Sequence, residues 1–467
     1  MSLIKKYFSF SVGVWINAIL TLFWTAFISR YLFPEDLGKI TMYLSLFSGL
    51  SAITIMGSSD AIMRFYKKYE RKNYLIWVCS LPSIAFGILL VLLSFLLKEP
   101  LNFLISGESQ GVFSFILSLE VFLSVIISSS MSLLRAQGKG LTYSIFNVMN
   151  NSLYVIFTIV YLLAFSKDFT WVIISHFVGT LITAILSYTY LNEYWRFTKV
   201  EIEDLKETFY YSFPLLFGSL LWWLTNWTDR FMLRGLSDFN QIGLYSVGSK
   251  LVSIVNLITS AFATLWYPYA YSIFENNEAK DIFKKTANTV ALLTFIVALT
   301  LNISKRVIFD MLFSANYIEG INVVPFLLLP IVLTTILVVV GRGINFSKKT
   351  HLAIYTNSSS IISNVILNFF LIPKFGATGA AIGTALSFIV FFTVEYILSV
   401  RLYKVDYEIW KVYLLSTIFL ITGLFEFFSL KNISYILNLF LLIITLTVYW
   451  KEFKALSVKY LRFFKSQ

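Results

Sequence analysis

The sequence predicts an all-α, polytopic membrane protein of about fourteen transmembrane helices. Three observations carry this reading. Of 467 residues, 58% are hydrophobic and only 13% charged, against about 25% charged in soluble domains. The apolar residues tile the whole chain in runs of about 20, the length a helix needs to cross the hydrocarbon core. Those runs are apolar all round and about twice as long as the alternating ~10-residue strands of a membrane β-barrel. Disorder is excluded as well, because aromatic residues make up 18% of the chain.

In order, the spans read 8–30, 40–62, 74–97, 112–134, 141–165, 170–191, 209–233, 243–270, 284–304, 321–342, 351–372, 377–400, 410–428 and 432–450. Span one follows Lys5 and Lys6 without a small-residue cleavage pattern, so no signal peptide is expected. It closes at Phe33-Pro34-Glu35-Asp36-Leu37-Gly38, where proline, acids and glycine end a helix and open the next. Arg64, Lys67, Lys68, Arg71 and Lys72 separate spans two and three, and Arg135-Ala136-Gln137-Gly138-Lys139 separates four from five. The charged stretch from Glu193 to Glu207 divides the chain near its middle. Pro373-Lys374-Phe375-Gly376 parts spans eleven and twelve. The expected organisation is an N-lobe (1–192, spans one to six), a cytoplasmic linker (193–208), a C-lobe (209–400, spans seven to twelve), and 401–467 with spans thirteen and fourteen and a basic tail.

Lys and Arg number 37 against 25 acids, a net charge of +12. Most of them fall in segments on the N-terminal side of the membrane, which places both termini in the cytoplasm. The excess is thereby explained without nucleic acid. Cys79 is the single cysteine and His176 and His351 are the only histidines, so a disulfide framework or a thiolate or histidine metal centre is not expected. No glycine-rich phosphate loop followed by Lys and Ser/Thr occurs, which argues against ATP hydrolysis. No cofactor and no metal are expected, and the chain reads as a transporter rather than an enzyme.

The chain also repeats itself at a shift of about 205 residues. Arg30-Tyr31-Leu32 followed by Gly38 matches Arg234-Gly235-Leu236 followed by Gly243, Glu70 matches Glu275, and Arg135 matches Arg342. This spacing implies two pseudo-symmetric six-span lobes in parallel, with two helices appended. Ser246, Lys250, Ser253 and Ser260 form a polar stripe on span eight, mirrored by Thr41, Ser45 and Ser48 on span two. Such a stripe faces protein or water, either for interhelical hydrogen bonds or for a substrate.

Four patches carry a resemblance to a known family. The run Asn368-Phe369-Phe370-Leu371-Ile372-Pro373-Lys374-Phe375-Gly376-Ala377-Thr378-Gly379-Ala380-Ala381-Ile382-Gly383-Thr384-Ala385 resembles the span 11–12 junction of the multidrug/oligosaccharidyl-lipid/polysaccharide exporter superfamily. Arg30 to Gly38, then Asp229-Arg230 with Ile242-Gly243-Leu244-Tyr245-Ser246 and Lys250-Leu251, and Arg135 to Lys139 are similar to its polysaccharide flippase branch, the Wzx-type proteins. The resemblance implies a V-shaped, MATE-like fold of two lobes that open alternately. It further implies a bacterial plasma-membrane flippase for a polyprenyl-diphosphate-linked oligosaccharide, serving capsule, O-antigen or teichoic-acid-type assembly. The resemblance also brings in a polysaccharide polymerase as a candidate partner. The alternatives are a lipid II flippase and a multidrug/cation antiporter of the same superfamily.

A substrate of that class has an anionic diphosphate, and arginine suits it by bidentate hydrogen bonding. Asn226, Arg230 and Arg234 share a face of span seven at i, i+4 spacing, beside Trp223 and Trp227. They read either as a diphosphate and sugar site or as an interfacial anchor. Arg30, Arg64, Arg135, Lys250 and Arg342 complete the substrate-binding candidates. Asp60, Glu120, Asp229 and Glu395 are the candidates for coupling to H+ or Na+, or for structural pairing, with His176 as a relay or a structural histidine. Asn147, Asn150 and Asn151 on span five, and Asn357 and Asn364 on span eleven, read as interhelical hydrogen bonders or glycan contacts.

Overall fold

The computed structural model describes residues 3–276, 278–428, 431–455 and 457; the remainder of the expected basic tail, 458–467, lies outside them. Among the described residues the fold is helical throughout. The elements are α1 (Leu3–Ser29), α2 (Pro34–Ile55), α3 (Ser58–Phe65), α4 (Lys72–Leu96), α5 (Lys98–Ser106), α6 (Phe113–Ala136), α7 (Gly140–Ala164), α8 (Phe169–Tyr190), α9 (Ile202–Leu236), α10 (Phe239–Ile273), α11 (Ala279–Leu312), a 3-10 segment (Ala315–Val323), α12 (Val324–Val340), α13 (Arg342–Phe346), α14 (Leu352–Leu402), α15 (Ile409–Phe427) and α16 (Lys431–Val448). Among the described residues ten helices are long and apolar enough to cross a membrane, and Trp15–Ser29 and Ile433–Val448 are shorter apolar helices. α14 is two helices joined at Gly376, and α9 is a further membrane-length helix, so about fourteen spans result.

Each junction has a local cause. Gly376 breaks α14 with φ 53 and ψ −130, a left-handed conformation that glycine adopts without a Cβ clash. The small residues after it then let the second half of α14 lie against the first, with Gly379 facing the Leu371 carbonyl and Gly383 facing Asn368. α2 opens with Pro34 at its start and Glu35 and Asp36 in the first turn, where the helix dipole favours negative charge. It ends at Met56 and Gly57, both with positive φ, so the span expected to run to 62 stops at Ile55. Residues 58–65 form the separate short helix α3.

The helices form two compact units: residues up to Arg234 together with Asp238–Gly243, and Gly235–Ser237 together with the residues from Leu244 onward. The sequence sets the change of lobe before span seven; by packing it falls after α9. In unit 1, α6 packs on α2, α3, α4, α5, α7 and α8. Its serines hydrogen-bond outward, Ser128 to Ser59 at 2.6 Å and Ser129 to Ser80 at 2.8 Å. α1 lies along α7, where Asn17 bonds Asn147, Asn151 donates to Thr21 at 3.4 Å, and Trp24 donates to Thr158 at 3.3 Å. Asn147 and Asn151 thus serve interhelical packing.

The charged linker is docked rather than free. Trp195 is buried and its indole N–H donates to Ser130 at 3.2 Å. Pro82 inside α4 has no N–H for the Val78 carbonyl one turn back. The Thr208 hydroxyl of α9 donates to that carbonyl at 3.1 Å.

The internal repeat is visible in unit 1 as well. A Cβ at Gly38 would lie 1.9 Å from the Phe239 carbonyl oxygen, and one at Gly243 would lie 1.9 Å from that of Pro34. The first turns of α2 and α10 therefore cross backbone to backbone, using the same two positions of the repeat. In unit 2, α12 is apolar all round and almost wholly buried between α11, α14 and α15.

Candidate functional site

The buried polar groups of unit 1 converge on Glu120 of α6, which is fully buried. Tyr43 of α2 donates its hydroxyl to Oε2 at 2.5 Å, and Thr180 of α8 donates to Oε1 at 2.7 Å. His176, one turn before Thr180, places Nδ1 2.6 Å from Oε1, close in distance but not aligned as a hydrogen bond. Tyr154 of α7 sets its ring edge-on to His176, with centroids 4.7 Å apart, and Trp24 packs on Tyr154 at 4.9 Å. Three helices of one unit, α2, α6 and α8, thus meet at a single carboxylate, and α7 joins them through the His176 ring. The sequence singles out Glu120 and His176 separately; the structure joins them and adds Tyr43, Thr180 and Tyr154. No spacing rule links residues 43, 120, 154 and 180, since their helices meet only in three dimensions.

On α9 the aromatic and basic residues sort into two groups. Trp223 is turned into the protein, its indole N–H donating to the Ser45 carbonyl at 3.1 Å and its ring lying against Gly49. Arg234 is likewise engaged, donating to the Phe103 carbonyl at 2.8 Å and the Leu104 carbonyl at 3.3 Å at the end of α5, with its guanidinium 4.3 Å from the Phe239 ring centre. Between them, Asn226 is exposed, Trp227 is half-buried, and Arg230 lies 5.0 Å over the Trp227 ring while donating to the Asn226 carbonyl at 2.6 Å. Asn226, Trp227 and Arg230 are brought together. Asp229 beside them is buried.

The other candidates are dispersed. Arg30 is exposed at the end of α1. Asp60 and Arg64 are exposed on α3, so Asp60 sits on a short surface helix and not inside a span. Arg135 is exposed in the last turn of α6, donating to Ser132 at 3.0 Å. In unit 2, Lys250 is half-buried on α10. Arg342 opens α13 directly after Gly341, its guanidinium 4.4 Å over the Tyr267 ring and its Nε buried without a hydrogen-bond partner among the described residues. Glu395 lies against Gly341, where an added Cβ would meet its Oε1 at 2.6 Å.

Sequence reasoning missed a second buried cluster. α11 continues eight residues past its expected end, so Lys305 lies inside the protein rather than in a loop. Its ammonium pairs with Glu426 of α15 at 2.6 Å and donates to Asn302 at 2.8 Å. Asn302 donates to Asn438 of α16 at 3.0 Å, and Asn438 donates to the Ser434 carbonyl at 2.9 Å. The Asn302-Lys305 spacing of one turn was the only signal available. Among the described residues no group of three His, Cys, Asp or Glu is placed to hold a metal ion.

Outside the spans, Lys68 of the α3–α4 loop pairs with Glu207 and with Asp204 at 3.7 Å, and Tyr74 donates to Asp204 at 2.7 Å. The Tyr74 hydrogen bond, helped by Tyr69 and Lys68, holds the Asp204 carboxyl below its usual range, and burial pushes the Tyr69 phenol up to about 12.

A helical bundle of membrane-length spans with charge buried inside it defines a multi-span membrane protein. The profile of the family described as "Polysaccharide biosynthesis protein" matches residues 3–274, more than half of the chain, and the chain belongs to that family. It is 22% identical over 421 residues to the probable low-salt glycan biosynthesis flippase Agl15 of Haloferax volcanii, covering 89% of this chain and 88% of that one. It is 23% identical over 377 residues to the capsular polysaccharide biosynthesis protein CapF of Staphylococcus aureus, covering 76% of this chain and 88% of that one. Among solved structures, the lipid II flippase MurJ in an inward closed conformation superposes with a TM-score of 0.72 at 17% identity, covering 95% of this chain and 99% of that one. That likeness gives the fold.

Proposed function

We propose that this protein flips a polyprenyl-diphosphate-linked oligosaccharide across a bacterial plasma membrane for surface polysaccharide assembly, by alternating access, with both termini in the cytoplasm. The observation that carries the reading is the α9 face on which an exposed amide, an indole and a guanidinium follow one another at Asn226, Trp227 and Arg230. Those three groups suit a sugar hydroxyl, a sugar ring and a diphosphate in turn. Arg342, whose buried Nε has no hydrogen-bond partner among the described residues, gives unit 2 a donor suited to an anion. Membership of a polysaccharide biosynthesis family supports the cargo class. Trp223 and Arg234 support the site from beneath through their bonds to α2 and α5. Translocation makes and breaks no bond, so positioned donors suffice. Lys250, Arg30, Arg64 and Arg135 fit earlier or later contacts along the path.

The test is flipping of a fluorescent polyprenyl-diphosphate oligosaccharide in proteoliposomes. Arg230→Ala is expected to lower the rate at least tenfold and Trp227→Ala several-fold, with folding unchanged. Full activity of Arg230→Ala removes the proposed site. Transport of lipid II or of a cationic drug in place of the oligosaccharide replaces the cargo.

A further inference from the structure

Glu120 is a carboxylate held out of water, and its surroundings state which cation it can take. The groups that reach its two oxygens are the Tyr43 hydroxyl, the Thr180 hydroxyl and the His176 imidazole. Both hydroxyls are bonded as donors, so it is their hydrogens and not their lone pairs that point at the carboxylate. A hard metal cation needs several oxygen lone pairs converging on it. A proton needs one basic atom, and here a carboxylate oxygen and an imidazole nitrogen stand 2.6 Å apart. The pair accommodates a shared proton without any rearrangement of the helices.

The rest of the environment keeps the site specific. From α2, α7 and α8 the titratable groups that face it are Tyr43, Tyr154 and His176. The side chains of α3, α4 and α5 seen in hydrogen bonds to α6 are those of Ser59, Ser80 and Asn102, none of which titrates, and the buried Cys79 thiol of α4 clusters with Met131, Leu133 and Leu134, about three turns and more along α6 from Glu120. Tyr154 is buried, and its hydroxyl has no hydrogen-bond partner among the described residues. That hydroxyl is left to receive or pass on a hydrogen bond when the imidazole changes state. Trp24 packs on the same ring and ties the pair to α1.

We propose that Glu120 and His176 together form one buried proton-binding site, selective for H+ over Na+, whose occupancy drives the transport cycle. Each turnover adds one proton to the pair from the side to which it is open and returns one as hydronium to the other; no electron moves. The inference rests on the flippase reading for its work and on unit 1 alone for its chemistry. Glu120 and His176 are therefore ion-binding residues, with Tyr43 and Thr180 positioning the carboxylate.

Two measurements on the full chain test it separately from the cargo. In nanodiscs, infrared difference spectra between acid and alkaline buffer should show one carboxylic-acid band that vanishes in Glu120→Gln. The band should be indifferent to added NaCl at constant ionic strength. In proteoliposomes, a pH gradient should accelerate flipping at least fivefold over no gradient, and a Na+ gradient should leave it unchanged. Glu120→Gln should abolish the acceleration. Tyr43→Phe, which keeps the packing, should move the pH midpoint of flipping to higher pH, because the ionised carboxylate loses a donor. A band that survives Glu120→Gln, displacement of the band by Na+, or acceleration by a Na+ gradient each overturns the proton site. Absence of any flipping in the unaltered protein, with the band intact, overturns the flippase reading and leaves the proton site standing.

Discussion

In unit 1, α6 buries the carboxylate of Glu120 among two hydroxyls and an imidazole; in unit 2, α11 buries the ammonium of Lys305 against a carboxylate and an amide. The second cluster is closed. Its two opposite charges meet at 2.6 Å, and Asn302, Asn438 and Ser434 extend the hydrogen bonds from α11 to α16. The first is open. The sign of its charge depends on where protons sit, and a tyrosine hydroxyl beside it has no partner among the described residues. A closed pair fixes helices in register; an open one can change state. Both consist of charge inside a bundle, and only the partners distinguish support from a working site.

The sharpest way to break the comparison is to remove one member of each cluster. Lys305→Met leaves Glu426 facing a buried site with no counter-ion, and the expected loss is about 3–5 kcal/mol. Measured by reversible unfolding in mixed micelles, the Lys305→Met/Glu426→Met double variant should recover most of that loss, since apolar groups of similar volume replace a buried pair well. A single variant within about 1 kcal/mol of the unaltered protein would mean that the pair holds nothing. Glu120→Gln should lose less, about 1–2 kcal/mol, because a carboxamide keeps an acceptor for one hydroxyl. Equal losses at the two positions would erase the distinction drawn between the units. Gly376→Ala should cost about as much as Glu120→Gln. Its positive φ admits an L side chain at about 1–2 kcal/mol, and the damage should stay local to α14 in hydrogen exchange.

These contrasts also show how far the sequence could be read. The helical membrane class followed from composition and run length, and the break at Gly376 from a proline, a charge and a glycine in one turn. The repeat was legible in Gly38 and Gly243, which the structure uses as paired crossing points. What the sequence hid was continuation. α11 runs on through Lys305 because Asn302 and Glu426 satisfy it from inside, and hydropathy alone ends a span at the first lysine. The opposite failure occurs at α2, which stops early because Met56 and Gly57 turn left-handed within an apolar run. The α9 face was readable from i, i+4 spacing, but spacing could not tell Trp223 and Arg234, which bind backbone carbonyls, from Trp227 and Arg230. Partners from other helices decide that, and a single helix does not encode them.

The smallest expected effect lies where charge meets water, in the Lys68–Glu207–Asp204 cluster at the start of α9. Asp204 accepts from Tyr74 at 2.7 Å, and Lys68 stands 3.7 Å away, which together lower its carboxyl below the ordinary range. A depressed folded-state value means that the ionised form stabilises the fold. The contribution is fully present above the unfolded value of about 3.9 and is lost as pH falls through the lower folded value. Unfolding midpoints should therefore ignore this group from neutrality down to about pH 5 and decline only below about pH 4. Asp204→Asn should remove that acid-limb decline and cost under about 1 kcal/mol at neutral pH, since the cluster is partly solvated and its ion pairs are screened. Raising the salt concentration should shrink the Asp204→Asn effect while leaving the Lys305→Met loss almost untouched, because screening reaches the surface pair and not the buried one. A salt dependence shared by both variants would show that water reaches Lys305, and the closed cluster of unit 2 would then be open after all.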